Sequence, residues 1–360
     1  MVEQAAIISS LTPLNGVYFT IPNLNDYAAK LATLGKSIEH RLGPTGKLVS
    51  YVLFYDNSPE IFISMVWTHP EHQGKGYAKG LLRQLIHSTQ KDIRLEVHKD
   101  NPAINLYERL GFRVIEQTGD ICKMCLRKAI AIMQPYVFPY LGYFHLIEAS
   151  DLFVFYDDVN YIKGGWINRN RILLNGKDLL FTIPISKASQ NKLINETTLA
   201  IDDSWRDKFN RTIVQAYQKA PHFPQVAPLI TSVFAKSYCS VSDLAISSVI
   251  STYKYLGMPF NYTKSSVCSP ETKGIDKADR LIEIAKCQGY KRYVNAPGGI
   301  NLYTKEYFGA NGVELGFVNS EPIQYEQFSN VFVPSLSIID VLMFNEPMAI
   351  KNFLRNYTVI

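Results

Sequence analysis

Cysteine is scarce in this chain. Five Cys in 360 residues cannot staple a fold of this length, and the odd count leaves one over. A secreted disulfide scaffold is therefore excluded, and a reducing compartment is expected. Long apolar runs are also missing, whereas a membrane-crossing helix needs about 20 residues. The start shows no charged–apolar–small pattern of a secretory leader. The expected location is the cytoplasm, with no membrane partner. Charge is sparse at 19 %, and the net +5 is spread over both halves without a basic run. That argues against a nucleic-acid-binding tail, while a mildly positive surface suits phosphorylated small molecules. Internal repeats, low-complexity tracts and Gly/Ser-rich joints are absent as well.

What the chain does have is hydrophobic residues, at 47 %, and aromatics, at 12 % with 22 Tyr. That suffices for two domains of ordinary size, each with its own core. Tyrosine offers flat apolar surface with a polar tip, useful in sugar or nucleotide pockets and equally common as plain core. Cys122 and Cys125 form a C-x-x-C, but no second pair of metal-binding residues lies nearby. The alternation of ICKMCLRK makes them structural residues on a terminal strand rather than a zinc site.

Residues 66–82 read VWTHPEHQGKGYAKGLL. A β-type segment stops at a proline, a glycine turn follows, and an amphipathic helix begins. Free backbone N–H groups at such a helix start suit an anion. Gly74 and Gly76 let the backbone approach a phosphate with no Cβ in the way. Around it, strands are expected over VYFTIP, LVSYVLFYDN, EIFISMVW, IRLEV, FRVIEQ and ICKMCLRK. Helices are expected after Asn23–Asp26 and over NPAINLYERLG, with a hairpin turn at Gly119–Asp120.

These segments resemble the GNAT acyltransferase superfamily. Its loop pattern Gln/Arg-x-x-Gly-x-Gly/Ala is met by Gln73, Gly76 and Ala78, or by the tighter Gln73–Gly74–Lys75–Gly76. Its later helix pattern, ending Leu-Tyr-x-x-x-Gly-Phe, is met over 101–112 with the alanine displaced. The resemblance implies a mixed α/β sheet and acetyl-CoA as cofactor. Cofactor contacts would come from Val66, Thr68, Gln73, Gly74, Lys75, Gly76, Tyr77, Ala78, Asn101 and Asn105. It also implies a β-bulge that splays the sheet near Val66–Thr68. Tyr107 sits where the family often places the acid that protonates the leaving thiolate; plain core packing is the competing reading. His69 and Glu71 are candidates for the base, although a histidine before a proline turn is more often simply surface.

A boundary is expected between Lys128 and Ala129, giving domains 1–128 and 129–360. With no flexible joint, close packing of the two is expected. The second part opens with MQPYVFPYLGYF, then DDVNY and WINRNR. These segments, with Tyr293–Asn295 and Ser335–Asp340, resemble the WbqC-like family, whose members occur among genes for bacterial surface polysaccharides such as O-antigen. The order strand AIMQP, bent loop, Gly142, helix, strand LFVFYDD also resembles an adenylating nucleotide-binding fold with a parallel sheet. This chain has Tyr143 where that fold's second histidine would be, and His145 comes two positions later.

Candidate catalytic residues here are His145, Asp158 and Arg169. Candidate substrate-binding residues are Gln134, Tyr136, Tyr140, Tyr143, Asp157, Lys163, Trp166, Asn168, Asn170 and Arg171. Asp157 and Asp158 could hold Mg²⁺ for ATP or cap a turn. Asp340, on an apolar run, is either a hydrogen-bonded core residue or a site residue.

Together the two resemblances imply two α/β domains in a bifunctional N-acyltransferase for polysaccharide amino sugars. The second unit would join an amino acid such as glycine to a nucleotide-linked amino sugar. The first would acetylate the new amine. In the alternatives, the second unit is only a binding or scaffold domain, or the first acetylates a protein. A tRNA-borne donor is a further variant, against which the lack of a basic stripe counts.

Overall fold

The computed structural model describes residues 2–13, 15, 17, 21–43, 46–57, 59–186, 189–328 and 331–360. The chain divides into two compact units, Met1–Lys128 and Ala129–Ile360. Of the expected elements, half of the strand over 17–22 (residues 18–20) and Ser58 in a turn lie outside the described residues.

The first unit runs α1 (Gln4–Leu11), α2 (Leu24–Leu34), β1 (Lys36–Leu42), β2 (Lys47–Asp56), β3 (Glu60–Thr68), a 3₁₀ turn (Pro70–His72) and α3 (Tyr77–His87). It continues with β4 (Asp92–His98), α4 (Ile104–Arg109), β5 (Arg113–Thr118) and β6 (Ile121–Leu126). The sheet order is β1-β2-β3-β4-β6-β5. Only β3 and β4 run parallel; their neighbours pair antiparallel. Asn23 caps α2 by accepting from the Asp26 N–H at 3.1 Å, as an Asn before a helix does.

The period-2 alternation of β2 sends Val52 and Phe54 to one core with Leu81, Leu82 and Leu85 of α3. Tyr51 and Leu53 go to another with Ile7, Leu11, Ala28 and Leu31 of α1 and α2. In β3 the alternation slips. Ile61 and Ile63 share the α3 side, but Met65 lies on the opposite side. The cause is a bulge: Leu53 pairs with Met65 and Phe54 with Ile63, so Ser64 is an extra residue. Cys122 and Cys125 are buried, free thiols three apart on β6, hence on opposite faces.

The second unit contains β7 (Ile130–Met133), α5 (Leu141–Glu148), β8 (Leu152–Phe155), a hairpin β9 (Arg169–Leu174)–β10 (Lys177–Thr182), α6 (Asp203–Tyr217), α7 (Phe223–Ala235) and α8 (Val241–Leu256). Then come β11 (Tyr262–Lys264), α9 (Ser265–Cys268), α10 (Lys277–Cys287), β12 (Arg292–Asn295), α11 (Lys305–Ala310), β13 (Glu314–Ser320), α12 (Ile338–Phe344), α13 (Pro347–Phe353) and β14 (Tyr357–Val359). Its main sheet has the order β11-β8-β7-β12-β13-β14. All pairs are parallel except the edge pair β13–β14.

In chain order the five parallel strands lie 3-2-1-4-5, the doubly wound arrangement whose direction of winding reverses between β7 and β12. Both faces are covered. Ala131, Phe153 and Phe155 pack with α5 and α8 on one side, and Ile130, Ile132, Leu152 and Val154 with α10 on the other. That is why β7 and β8 read as unbroken apolar runs. No helix among the described residues is long and apolar enough to cross a membrane.

The many buried tyrosines give the fold a pH limit. Desolvation pushes the pKa values of Tyr51 and Tyr107 up to about 12, and those of Tyr143, Tyr217, Tyr253 and Tyr293 well above the usual 10. The folded chain then holds these protons more tightly than the unfolded one. Their contribution is complete below pH 10 and is lost as pH rises toward the folded values, by roughly 1.4 kcal/mol per pH unit for each group. Thermal melting followed by circular dichroism should show a midpoint steady near pH 8 and falling steeply above pH ~10. A midpoint unchanged at high pH would contradict this reading.

Candidate functional site

In the first unit the sheet opens where β3 and β4 diverge. Their pairing stops at Ile63 and Leu95. Beyond it, Val66 and Thr68 keep their partners on β2, Val52 and Ser50, while their other edge has none among the described strands. The Ser64 bulge explains the divergence, because a bulged strand bends and twists away.

After β3, Pro70–His72 makes one 3₁₀ turn, and Gln73 ties the loop back by donating from Nε2 to the Thr68 carbonyl at 3.3 Å. Gly74 and Gly76 both adopt left-handed backbone, φ +74° and +84°. No atom lies within 4 Å of where a Cβ would stand on either. The first N–H in this stretch to find a carbonyl is that of Gly80, on Gly76 at 3.0 Å. Among the described residues none accepts from the N–H groups of Gly74 to Lys79. The result is a row of free donors facing open space at the positive end of α3, with the exposed Lys75 beside it.

Tyr77 and Ala78 form the first turn of α3, and the Tyr77 ring packs on His40 with centroids 4.6 Å apart. On the other side of the opening, Asn101 caps its own turn by accepting from the Ala103 N–H at 2.9 Å, and Asn105 is exposed. Tyr107 is 7 % exposed and meets Phe112 edge-on at 5.8 Å. None of the described groups bonds its hydroxyl. Desolvation holds its pKa at about 12, so it carries a proton at neutral pH. His69 caps the 3₁₀ turn and Glu71 lies within it, with Glu71 Oε2 3.8 Å from His69 Nδ1.

In the second unit the expected residues separate into four places. Gln134, Tyr136, Tyr140 and Tyr143 line the loop from β7 into α5. The Tyr143 hydroxyl donates to the Gln134 carbonyl at 2.9 Å, and the Tyr140 ring lies so close to Gly142 that a Cβ there would meet it at 2.5 Å. Asn170 latches this loop, donating to the Val137 and Phe138 carbonyls at 3.3 and 2.7 Å. Asn168 accepts from the Tyr161 hydroxyl at 2.7 Å and donates to the Ile183 carbonyl. Both asparagines are buried and fully used by the fold.

Trp166 stands exposed between Arg169 and Arg171, whose guanidinium carbons lie 5.7 and 5.3 Å from its ring centre. Lys163 is exposed nearby in the chain. These four form a surface group of cations and one indole.

Asp157 and Asp158 follow β8 and are buried. Asp157 accepts from the Ser266 N–H and hydroxyl at 3.1 and 2.8 Å, from Ser265 at 3.2 Å and from Asn195 at 3.4 Å. Asp158 accepts from the Ser265 hydroxyl and from Arg280, both at 2.5 Å. Arg280 is itself buried and lies over the Tyr156 ring at 4.8 Å. This donor set does not suit Mg²⁺. The oxygens already accept from protein donors, and a guanidinium occupies the place of the cation. The pair caps the start of α9 and lines a cavity of about 440 Å³ with Lys264, Ser240 and Lys273.

His145 is 1 % exposed. Its Nε2 donates to the Phe353 carbonyl at 2.9 Å, and Nδ1 accepts from Ser320 Oγ at 2.8 Å. Desolvation lowers its pKa, keeping the ring neutral. It sits under a second cavity of about 670 Å³ between the first turn of α5, the end of β13 and residues 321–325 and 332–336. Asp340 is a hydrogen-bonded core residue. It accepts from Tyr217, Tyr325 and Gln327 at 2.8, 2.7 and 2.8 Å, and burial raises its pKa.

Sequence reasoning missed Arg280, Ser265, Ser266, Glu321 and Tyr325. Arg280 lies 122 positions from its partner, and nothing local to either residue announces the pair. At the switch point it had noted Asn295 but not Gly299. A Cβ on Gly299 would come within 2.3 Å of the Asn295 amide.

Comparison with known proteins now separates the two units. Residues 25–112 match the acetyltransferase (GNAT) family and residues 134–352 the WbqC-like protein family. The chain belongs to the WbqC-like protein family. Its WbqC-like part follows an N-terminal unit with the GNAT-type mixed sheet. The uncharacterized protein Rv1507c of Mycobacterium tuberculosis is 27 % identical over 231 residues, 63 % of this chain and 98 % of that one. Among solved structures, the PaiA N-acetyltransferase of Thermoplasma acidophilum in complex with coenzyme A is 19 % identical. It covers 28 % of this chain and 67 % of that one, with a TM-score of 0.24. An acetyltransferase from Thermus thermophilus is also 19 % identical, over 34 % and 86 %, with a TM-score of 0.29.

Proposed function

We propose that the first unit acetylates an amine with acetyl-CoA, and that the WbqC-like unit supplies that amine on a nucleotide-linked amino sugar destined for a surface polysaccharide. The observation that carries the first half is the row of free N–H groups from Gly74 to Lys79 over open space, beside the splayed edge of β3. The residues fit the cofactor. The glycine loop and Lys75 would hold a pyrophosphate, and the free edge at Val66–Thr68 would take the amide groups of an extended chain by β-type pairing. Acetyl-CoA, when bound, supplies an activated acyl group. The protein's own part is to orient it, to offer edge N–H groups to the developing oxyanion, and to keep a proton ready at Tyr107.

For the second half the supporting features are the 3-2-1-4-5 sheet and the cavity of about 670 Å³ at its carboxyl edge. Open α/β sheets bind ligands at that edge, and the volume is that of an ordinary ligand site. The WbqC-like unit then joins an amino acid, most simply glycine, to the sugar amine; ATP activates the carboxyl group, and the activating group leaves as the amide bond forms. The product carries a fresh amine for the acetyltransferase, and sharing a chain keeps the intermediate close to the second site.

The test is mass spectrometry of nucleotide-linked amino sugars incubated with the full chain, acetyl-CoA, ATP and glycine. Omitting acetyl-CoA should accumulate an aminoacyl sugar. Gly76→Val puts a branched side chain on a left-handed backbone in the phosphate space. It should reduce acetyl-CoA affinity beyond detection by calorimetry and accumulate the same species. Undiminished affinity in Gly76→Val overturns the loop assignment. Efficient acetylation of the bare sugar with glycine omitted overturns the order of steps.

A further inference from the structure

We propose that His69, Glu71 and His72 form a binding site for a divalent transition-metal ion, with two imidazoles and one carboxylate as ligands. One ligand atom from each residue lies within 4.8 Å of the others. The arrangement follows from the local sequence. Pro70 starts a 3₁₀ turn over Pro70–His72, and with three residues per turn positions i and i+3 fall on the same side. His69 and His72 therefore face each other, their ring centres 5.7 Å apart and inclined at 67°, so they do not stack. Glu71 brings Oε2 to 3.8 Å from His69 Nδ1.

A second observation points to a ligand. His72 Nδ1 is shielded from solvent and has no hydrogen-bond partner among the described residues. A shielded ring nitrogen normally has one, and a metal ion would satisfy it.

Metal–ligand bonds of about 2.0–2.2 Å bring tetrahedral donors to roughly 3.5 Å of one another. The ligand atoms, within 4.8 Å of one another, must close by at most about an ångström, and the Glu71 side chain, 73 % exposed, is free to move. Lys47, 4.0 Å from Glu71, is the charge the ion has to face besides Lys75; it too is exposed. Two nitrogens and one oxygen favour Zn²⁺, Co²⁺ or Ni²⁺ over Mg²⁺. The turn lies between Thr68 and Gln73, so a bound ion would pin the start of the glycine loop to the end of β3. The site stands independently of the reaction proposed for the loop.

The test uses the full chain, stripped with a chelator and alkylated at cysteine, because Cys239 and Cys287 are exposed thiols that bind metal themselves. Zn²⁺ is titrated by calorimetry and Co²⁺ by its visible absorption. One equivalent should bind, unaffected by millimolar Mg²⁺. Glu71→Gln and His72→Gln should each weaken affinity by more than about tenfold. Glu71→Gln changes an exposed side chain, so its effect cannot be misfolding. Equal affinity in the wild type and both variants, or no saturable binding by the wild type, overturns the proposal.

Discussion

Asp158→Ala is expected to destabilise the second unit by about 3–5 kcal/mol. Asp158 and Arg280 are each about 4 % exposed and meet at 2.5 Å. Removing the carboxylate leaves a guanidinium in the interior with its charge unmatched, and leaves the Ser265 hydroxyl only its longer contact with Asp157 at 3.2 Å. The remaining Arg280 bonds, to Thr272 Oγ1 at 3.2 Å and the Asp158 carbonyl at 3.5 Å, do not replace it. Losing one partner of a buried pair is costly, whereas replacing both by apolar residues of similar volume is often neutral. Asp158→Leu combined with Arg280→Met should therefore recover most of the loss. Chemical denaturation of the full chain checks both, and a wild-type midpoint for Asp158→Ala would refute the argument.

This outcome bears on how function is tested. Loss of activity on replacing Asp158 cannot distinguish an enzyme from a scaffold, because either would lose its fold. The same holds for His145, whose two ring nitrogens hold the end of β13 and the end of α13. Informative substitutions in this unit belong on exposed side chains with no hydrogen bond or ion pair among the described residues, such as Lys163, Trp166 and Glu321.

Local patterns carried much of the fold. The alternating β2–β4 and β6 segments, the Asn23 cap and the glycine loop were legible because each is decided by residues close in sequence. Two elements of the first unit escaped. In α1, QAAIISSL mixes small, polar and apolar residues with a buried serine on its inner face, so its amphipathic pattern is weak. In β1, KSIEHRL has charges on an edge strand that is nowhere fully buried, and period-2 alternation needs one buried face to show. A bulge near Val66–Thr68 was implied by resemblance; the switch of sides between Ile63 and Met65 places it earlier, at Ser64. In the second unit the motifs match the family but do not give the roles of their residues. Asn168 and Asn170 read like site residues because they are polar and closely spaced. They are instead latches on carbonyls of Ile183, Val137 and Phe138, contacts that exist only once distant strands have met.

Tyr107→Phe is expected to lower acetyl-transfer turnover by about a hundredfold while leaving acetyl-CoA affinity and stability nearly unchanged. The prediction separates two roles that the position allows. The ring is buried in the core of the first unit and meets Phe112 edge-on, and phenylalanine preserves all of that packing. The hydroxyl has no bonding partner among the described residues, so its removal strands nothing and costs no stability through an orphaned group. What disappears is a proton donor. With its pKa near 12, the phenol is fully protonated at neutral pH, as an acid must be. It is also a weaker acid than an ordinary thiol of pKa about 8.5, so its help lies at the modest end of general acid catalysis. A pH–rate profile should accordingly show no alkaline limb from this group below about pH 11. Steady-state kinetics with calorimetry and melting on the same variant decide the matter. A fall in kcat with the dissociation constant and midpoint intact marks the acid. Turnover close to wild type would return Tyr107 to the core, and the proton for the leaving thiolate would then have to come from water or from the acceptor ammonium.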